Sequence, residues 1–295
     1  MAAHSLSDGP RTRGFYVLAA VFGLFVLFLY GPTLTILALS FQGPQGGLTF
    51  PMNGVSTFWF TKLWGGVGVV DIWAAFGRSF RLGAVVMGLT VLLALSAGLA
   101  FRKRFAGGSA LFLVTVASLI VPSIVVSLGI GLEFRILDEA VRALAERTGW
   151  GFLRGYETTA GLYTSALGAH LTWTLPFGLL ILFAVFNRFN PAYEEAARDL
   201  GASPSRTLRH VVLPIIAPSL VGVALFGFTL SWDEVARTSQ AIGGRNTLPL
   251  ELQGLTTTVT TPEIYALGTV ITCLSLLAIG LASVGIIVSR RLRSS

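Results

Sequence analysis

Few residues in this chain have the types and spacing to do chemistry. The three histidines, His4, His170 and His210, are scattered, and one cysteine, Cys273, leaves no pair for a disulfide or a thiolate metal site. There is no G-x-x-x-x-G-K-[ST] loop to cradle ATP phosphates, no H-E-x-x-H and no G-x-S-x-G. The reading is a non-enzyme without a cofactor of its own. Two polar clusters remain. The first is the interruption from Asn187 to Pro214, which carries Glu194, Glu195, Ala196, Ala197, Asp199, Gly201, Ser203, Pro204, Leu213 and Pro214 between two apolar runs. The second is Asp233 and Glu234 beside Trp232, where two carboxylates next to an indole face would attract an ammonium cation by charge and cation-π contact. The competing reading of the second cluster is a helix end with solvated charge. Thr172, Trp173 and Glu133 are further candidate site residues, because polar or aromatic groups set within apolar runs usually face a cavity or a partner.

The elements that must position these residues are membrane helices. Hydrophobic residues make up 53% of the 295 and charged residues only 12%. Six stretches approach the roughly 20 apolar residues a span requires: Phe15 to Ser40, Leu82 to Phe101, Ala110 to Gly131, Leu162 to Phe186, Ile215 to Ser231 and Ile264 to Ser289. They are continuously apolar, without the alternation of a membrane barrel, so the expected class is all-α with six spans. With the N-terminus inside, four short inner segments hold twelve of the Lys and Arg residues, and the longer outer segments hold nine. That density difference obeys the positive-inside rule, puts both termini in the cytoplasm and puts the Glu195 loop there too. The net charge of +7 is thereby explained by topogenesis rather than by nucleic acid, for which no aromatic-interleaved basic patch exists. Arg11 and Arg13 before the first run mimic a signal peptide, but a run of about 25 residues exceeds an ordinary h-region and reads as an uncleaved anchor.

Local punctuation predicts further detail. Asn190-Pro191 starts a helix with Glu194 and Glu195 near its positive end, Gly201 ends it in a left-handed conformation, and Ser203-Pro204 caps and opens a second short helix. The result is a slim helix-turn-helix projecting from the membrane. Outside, Trp59, Trp64 and Trp73 suit the headgroup level, and Leu137, Ala140, Val141, Leu144 and Ala145 predict a short surface helix with Asp138 on its solvated face. His170, within the fourth span, is expected to be a packed or hydrogen-bonded neutral histidine. Residues 1–295 read as one membrane domain.

The joint spacing is Glu195-Ala196-Ala197, three residues, Gly201, nine residues, then Val211-x-Leu213-Pro214. It resembles the EAA loop of type I ABC importer permeases of the MetI-like fold, with Val211 where the family usually has Ile. Phe228-Thr229-Leu230-Ser231-Trp232-Asp233-Glu234, Thr247-Leu248-Pro249-Leu250 and Pro262-Glu263-Ile264-Tyr265-Ala266-Leu267-Gly268-Thr269 are similar to the second permease subunit of spermidine/putrescine importers. Departures fall at Tyr265 to Thr269 and at Thr256 to Thr261. The resemblance implies a core over residues 80–288 and a coupling loop over 187–213. It further implies a bacterial inner-membrane location and, as partners, a second permease subunit, an ATP-binding ATPase dimer and a periplasmic or lipid-anchored solute-binding protein. The implied cargo is a polyamine, or else an opine, phosphonate or amino-acid derivative. Two other classes stay open. An ion-coupled secondary transporter would need ionisable groups within the spans, and a membrane assembly protein would show no ATP-dependent flux.

Overall fold

The computed structural model describes residues 12–65, 71–150, 156–258 and 261–294. Arg11, Arg154 and His4 lie outside them, as do the side chains of Arg290, Arg291 and Arg293. The described residues form helices and loops, with one isolated antiparallel bridge, Gln42 to Val55. The helices are α1 (Arg13–Leu39), α2 (Phe58–Lys62), α3 (Ile72–Phe101), α4 (Gly108–Ala117), α5 (Ser123–Thr148), α6 (Ser165–Asn187), α7 (Ala192–Asp199), α8 (Pro204–Thr207), α9 (Leu213–Trp232), α10 (Leu248–Thr258) and α11 (Glu263–Ser294). Among the described residues, four helices are long and apolar enough to cross a membrane: α1, α3, α6 and the continuous helix Pro204–Trp232.

The chain divides into two compact units. The first draws on Met1–Val69 and Thr256–Leu281. Here α1 is apolar around its whole circumference and exposed along its length, which is the pattern of a helix whose solvent is lipid. Below it, Gln42 receives the Asn53 amide on Oε1 at 2.7 Å, and Trp59 is buried with its indole N–H donated to the Gly43 carbonyl. Trp59 is therefore a packing residue rather than a headgroup anchor, whereas Trp64 stays exposed as expected. Lys62 pairs with the buried Glu263 carboxylate at 3.0 Å, and the Tyr265 hydroxyl donates to the Leu48 carbonyl.

The second unit draws on Val70–Leu255 and Ala282–Ser295, and its core is the packing of α3, α6 and α9. Ala94, Leu182 and Val223 meet at its centre, one from each helix. Gly178 makes the approach possible: a β-carbon there would sit 3.0 Å from the Ala94 Cβ and 3.1 Å from Val223. Close backbone approach at small residues substitutes for the hydrophobic drive that lipid does not supply. A buried Thr90 to Thr174 hydroxyl bond, 2.7 Å, ties α3 to α6 beside it. Pro176 and Pro218 lie inside helices and Pro122 at a break.

Two expectations are corrected. The third apolar stretch is not one helix: α4 stops at Ala117 and α5 begins at Ser123, with Pro122 unable to supply the amide that would join them. The amphipathic stretch around Leu137 is not a separate surface helix but the second half of α5. Asp138, expected on its solvated face, is buried and receives the hydroxyls of Tyr156, Thr158 and Thr159 and the Thr159 amide. These donors, led by Thr158 and then the Thr159 amide, hold its carboxyl well below the usual carboxylate range.

Candidate functional site

The Asn187 to Pro214 region folds as its punctuation predicts. The Asn190 side chain accepts the Ala192 amide at 3.0 Å, and α7 begins directly after Pro191. The helix ends at Gly201, whose φ of +81° places it in the left-handed region. The Gly201 amide bonds to the Arg198 carbonyl and the Ala202 amide to the Ala197 carbonyl, the paired bonds of a Schellman end. Ser203 occupies the N-cap in extended conformation and Pro204 the first position of α8. The Ser203 hydroxyl lies 3.3 Å from that of Ser205 and bonds to no helix amide, so the cap is made by backbone geometry. A π-helical turn, Leu208–Val212, then carries the chain into α9, with Leu213 and Pro214 at its first positions. The second short helix is thus continuous with α9.

The charges of α7 divide their work. Glu194, half-buried, pairs with Arg102 at 2.6 Å and with Arg198 one turn on at 3.2 Å. The Arg102 guanidinium also lies over the rings of Phe186 and Phe189, at 5.1 and 5.3 Å. One arginine at the end of α3 therefore ties together α3, the end of α6 and the start of α7. Glu195, Ala196 and Asp199 are exposed and Ala197 half-buried. Beyond them Leu200 is 89% exposed, so an apolar side chain stands at the tip of a polar helix, and Tyr193 in its first turn is 55% exposed.

The loop after α9 has the opposite character. Trp232 stacks on Phe228 at 5.6 Å and meets Phe76 edge-on. Asp233 is exposed, whereas a Glu234 carboxylate oxygen accepts the Arg237 backbone amide at 2.8 Å. The Arg237 side chain is 0% exposed. Its guanidinium donates to the hydroxyls of Ser123 and Thr172 and to the Ser118 carbonyl, and it lies over the Trp173 ring at 4.8 Å. Among the described residues it has no ion pair, and three neutral acceptors and a π face disperse its charge. Side chains of the spans also satisfy the loop backbone. Ser127 donates to the Arg237 carbonyl and accepts the Gln240 amide, and Ser165 donates to the Ala241 carbonyl. His170 bridges Ser231 and Thr238, 2.8 Å on each ring nitrogen, matching the hydrogen-bonded histidine expected.

Among the candidates for a solute path, Thr172 and Trp173 thus meet at one guanidinium, Glu234 caps the same loop, Trp232 packs against aromatic rings, and Asp233 and Glu133 remain exposed. The organising residue, Arg237, was missed by sequence reasoning, which counted it as an outer-loop cation. Its one local signal is Glu234 three residues before it.

The family described as "Binding-protein-dependent transport system inner membrane component" matches residues 87–293. The chain is 29% identical over 255 residues to the spermidine/putrescine transport system permease protein PotC of Haemophilus influenzae, covering 84% of this chain and 88% of that protein. It is also 29% identical over 247 residues to the putrescine transport system permease protein PotI of Escherichia coli, covering 83% and 81%. In three dimensions it resembles a chain of a bacterial ABC transporter that imports the acidic polysaccharide alginate, with a TM-score of 0.60, 15% identity and coverage of 97% and 99%. A second structure, of an alginate transporter in complex with an alginate pentasaccharide-bound periplasmic protein, gives a TM-score of 0.59 at 14% identity. Identity at that level speaks to fold alone.

Proposed function

From the premise that the chain belongs to the binding-protein-dependent transport system inner membrane components, as a multi-pass permease subunit of a bacterial ABC importer, we propose that α7 and its Gly201 turn are where a separate ATPase docks. The observation that carries this reading is the exposed end of α7 at Leu200, with its base tied by Glu194 to Arg102. A slim helix braced at its root and apolar at its tip suits a groove on another protein. ATP-driven closure of that partner would shift α7, and the continuous Pro204–Trp232 helix would carry the shift into the bundle.

In this reading six spans and cytoplasmic termini surround a path shared with a second permease subunit, and a periplasmic or lipid-anchored protein delivers the solute. ATP belongs to the ATPase. The cargo favoured by the relatives' names is a polyamine, spermidine or putrescine, with exposed Asp233 as the carboxylate an ammonium group would meet first. Reconstitution with the ATPase, sister subunit and binding protein tests the assignment. Stimulation of ATP hydrolysis by the solute-loaded binding protein supports it, and its absence from an assembled complex contradicts it. Within that assay, Asp233→Asn should lower polyamine uptake several-fold, and unchanged uptake at equal abundance would remove the cargo assignment.

A further inference from the structure

At the end of α3 opposite Arg102, three arginines converge where the mechanism has no use for them. Arg78 and Arg81 lie 24 and 21 positions before Arg102, about 30–36 Å away along the helix. With Arg245 from the loop after α9 they line a cavity of about 340 Å³, walled by the backbone of Gly161 and Gly244 and by Tyr163. The site is built rather than incidental. The Arg78 Nε donates to the Asn246 carbonyl at 2.7 Å and the Arg81 Nε to the Gly77 carbonyl at 3.0 Å. Both bonds leave the terminal Nη groups for something else. The walls are pressed together as well: Gly243 has a φ of +77°, and a β-carbon on it would stand 2.9 Å from the Ala160 carbonyl oxygen. Among the described residues none of the three arginines makes an ion pair, so three like charges are held together without a counter-charge.

We infer that this cavity is a socket for projecting carboxylate side chains on the solute-binding protein, an inference that rests on the importer reading above. Guanidinium forks match carboxylates in bidentate geometry, which makes arginine the residue of choice for such pairs. Charge inspection puts this end of α3 outside the cell, the side from which a soluble partner arrives. Two loops of one molecule form the walls, a shape that admits a protruding Asp or Glu rather than the flat plane of lipid headgroups. The socket is also wired inward. Arg78 holds Asn246, the Ser79 hydroxyl accepts the Leu248 amide, and the same loop continues back to buried Arg237. Docking here pulls on the segment that the spans clamp.

The test uses the reconstituted importer and its own solute-loaded binding protein, with R81E/R245E as the disruptive variant and R81K/R245K as the charge-preserving one. Arg78 is left intact because it holds the loop. The Glu variant should raise the binding-protein concentration for half-maximal ATPase stimulation roughly tenfold or more, with the maximal rate unchanged, while the Lys variant stays within about threefold of wild type. An unchanged half-maximal concentration overturns the socket. So does an effect seen only in vesicles containing phosphatidylglycerol and not in pure phosphatidylcholine, which would make the site a lipid one. A fall in maximal rate alone would place the arginines on the solute path and overturn it too. Absence of stimulation in wild type would sink the importer reading itself and the socket with it, an outcome distinct from the others.

Discussion

The two polar interruptions that flank α9 are opposites. Before the helix, residues 190–203 turn apolar side chains outward, as at Leu200, and spend few polar groups on the rest of the chain. After it, residues 233–246 turn a cation inward, and the Arg237 carbonyl, the Gln240 amide and the Ala241 carbonyl are met by side chains of α5 and α6. An exposed apolar tip is stabilised by what will cover it, whereas a buried guanidinium is stabilised by what already does. We read the first region as a surface for a partner. The second is a clamp, and the same rod joins them.

The largest effect that would break this contrast is on the outward side. Gly201→Val forces a β-branched residue into a left-handed conformation that costs about 1–2 kcal/mol even for ordinary residues. Solute uptake by the reconstituted importer should fall at least roughly tenfold while the subunit still inserts and assembles, because a substitution at this turn re-aims α7 without touching the span core. Normal uptake would show that the turn's geometry is irrelevant to coupling.

The inward side is sharpened by Arg237→Leu, which leaves the Ser118 carbonyl and two hydroxyls without their donor, at about 1–3 kcal/mol for each group left unsatisfied. The detergent-solubilised protein should melt several degrees lower, and Arg237→Lys should recover only part, since an ammonium cannot reproduce the fork. Equal melting of Arg237→Leu and wild type would mean the loop is not clamped there.

These two regions also differ in how far they could be read from the chain. The outward one depends on local rules: Asn190-Pro191 to start, Gly201 to turn and Ser203-Pro204 to restart act within a few residues of themselves, and each is found as expected. The inward one depends on partners 65 to 119 positions away, Thr172, Ser123 and Ser118, which no local pattern announces. Asp138 fails for the same reason, since its helical spacing predicts a solvated face and a distant loop covers it. Apolar length alone located α1, α3, α6 and α9, which are among the described helices long and apolar enough to cross a membrane, but it could not show that Pro122 breaks the third stretch while Pro176 and Pro218 are absorbed within helices. Both of the latter lie in the packed trio of α3, α6 and α9, where neighbouring helices make an interior proline tolerable.

A smaller effect is expected at the brace of α7. Glu194→Gln weakens pairs with Arg102 and Arg198, worth about 0.2–1 kcal/mol at a partly exposed site. Coupled ATP hydrolysis should drop up to about fivefold, and combining it with Arg102→Gln should add little, because the two changes remove one interaction. Full additivity would show that the pair is not the brace.

The smallest lies at Asp138. Its folded pKa is depressed, so it stabilises the 156–159 segment above its unfolded pKa of about 3.9 and loses that contribution only as pH falls through the lower folded value. Exchange protection of the Thr159 amide, which donates to Asp138 at 2.9 Å, should therefore show no step between about pH 5 and 8 once intrinsic rates are divided out, and should weaken at every pH in Asp138→Asn. A step near neutrality would mean that another group holds the segment.

The central claim, that the outward interruption is a docking surface for an ATPase and the inward one is not, is tested most directly by cross-linking. In the assembled importer with Cys273 replaced by Ser, cysteines introduced as Leu200→Cys and Asp233→Cys are treated with a short bifunctional thiol reagent. The account predicts a Leu200→Cys product containing the ATPase, its yield changed by ATP, and no such product from Asp233→Cys. An intact complex in which Leu200→Cys fails to reach the ATPase would contradict it.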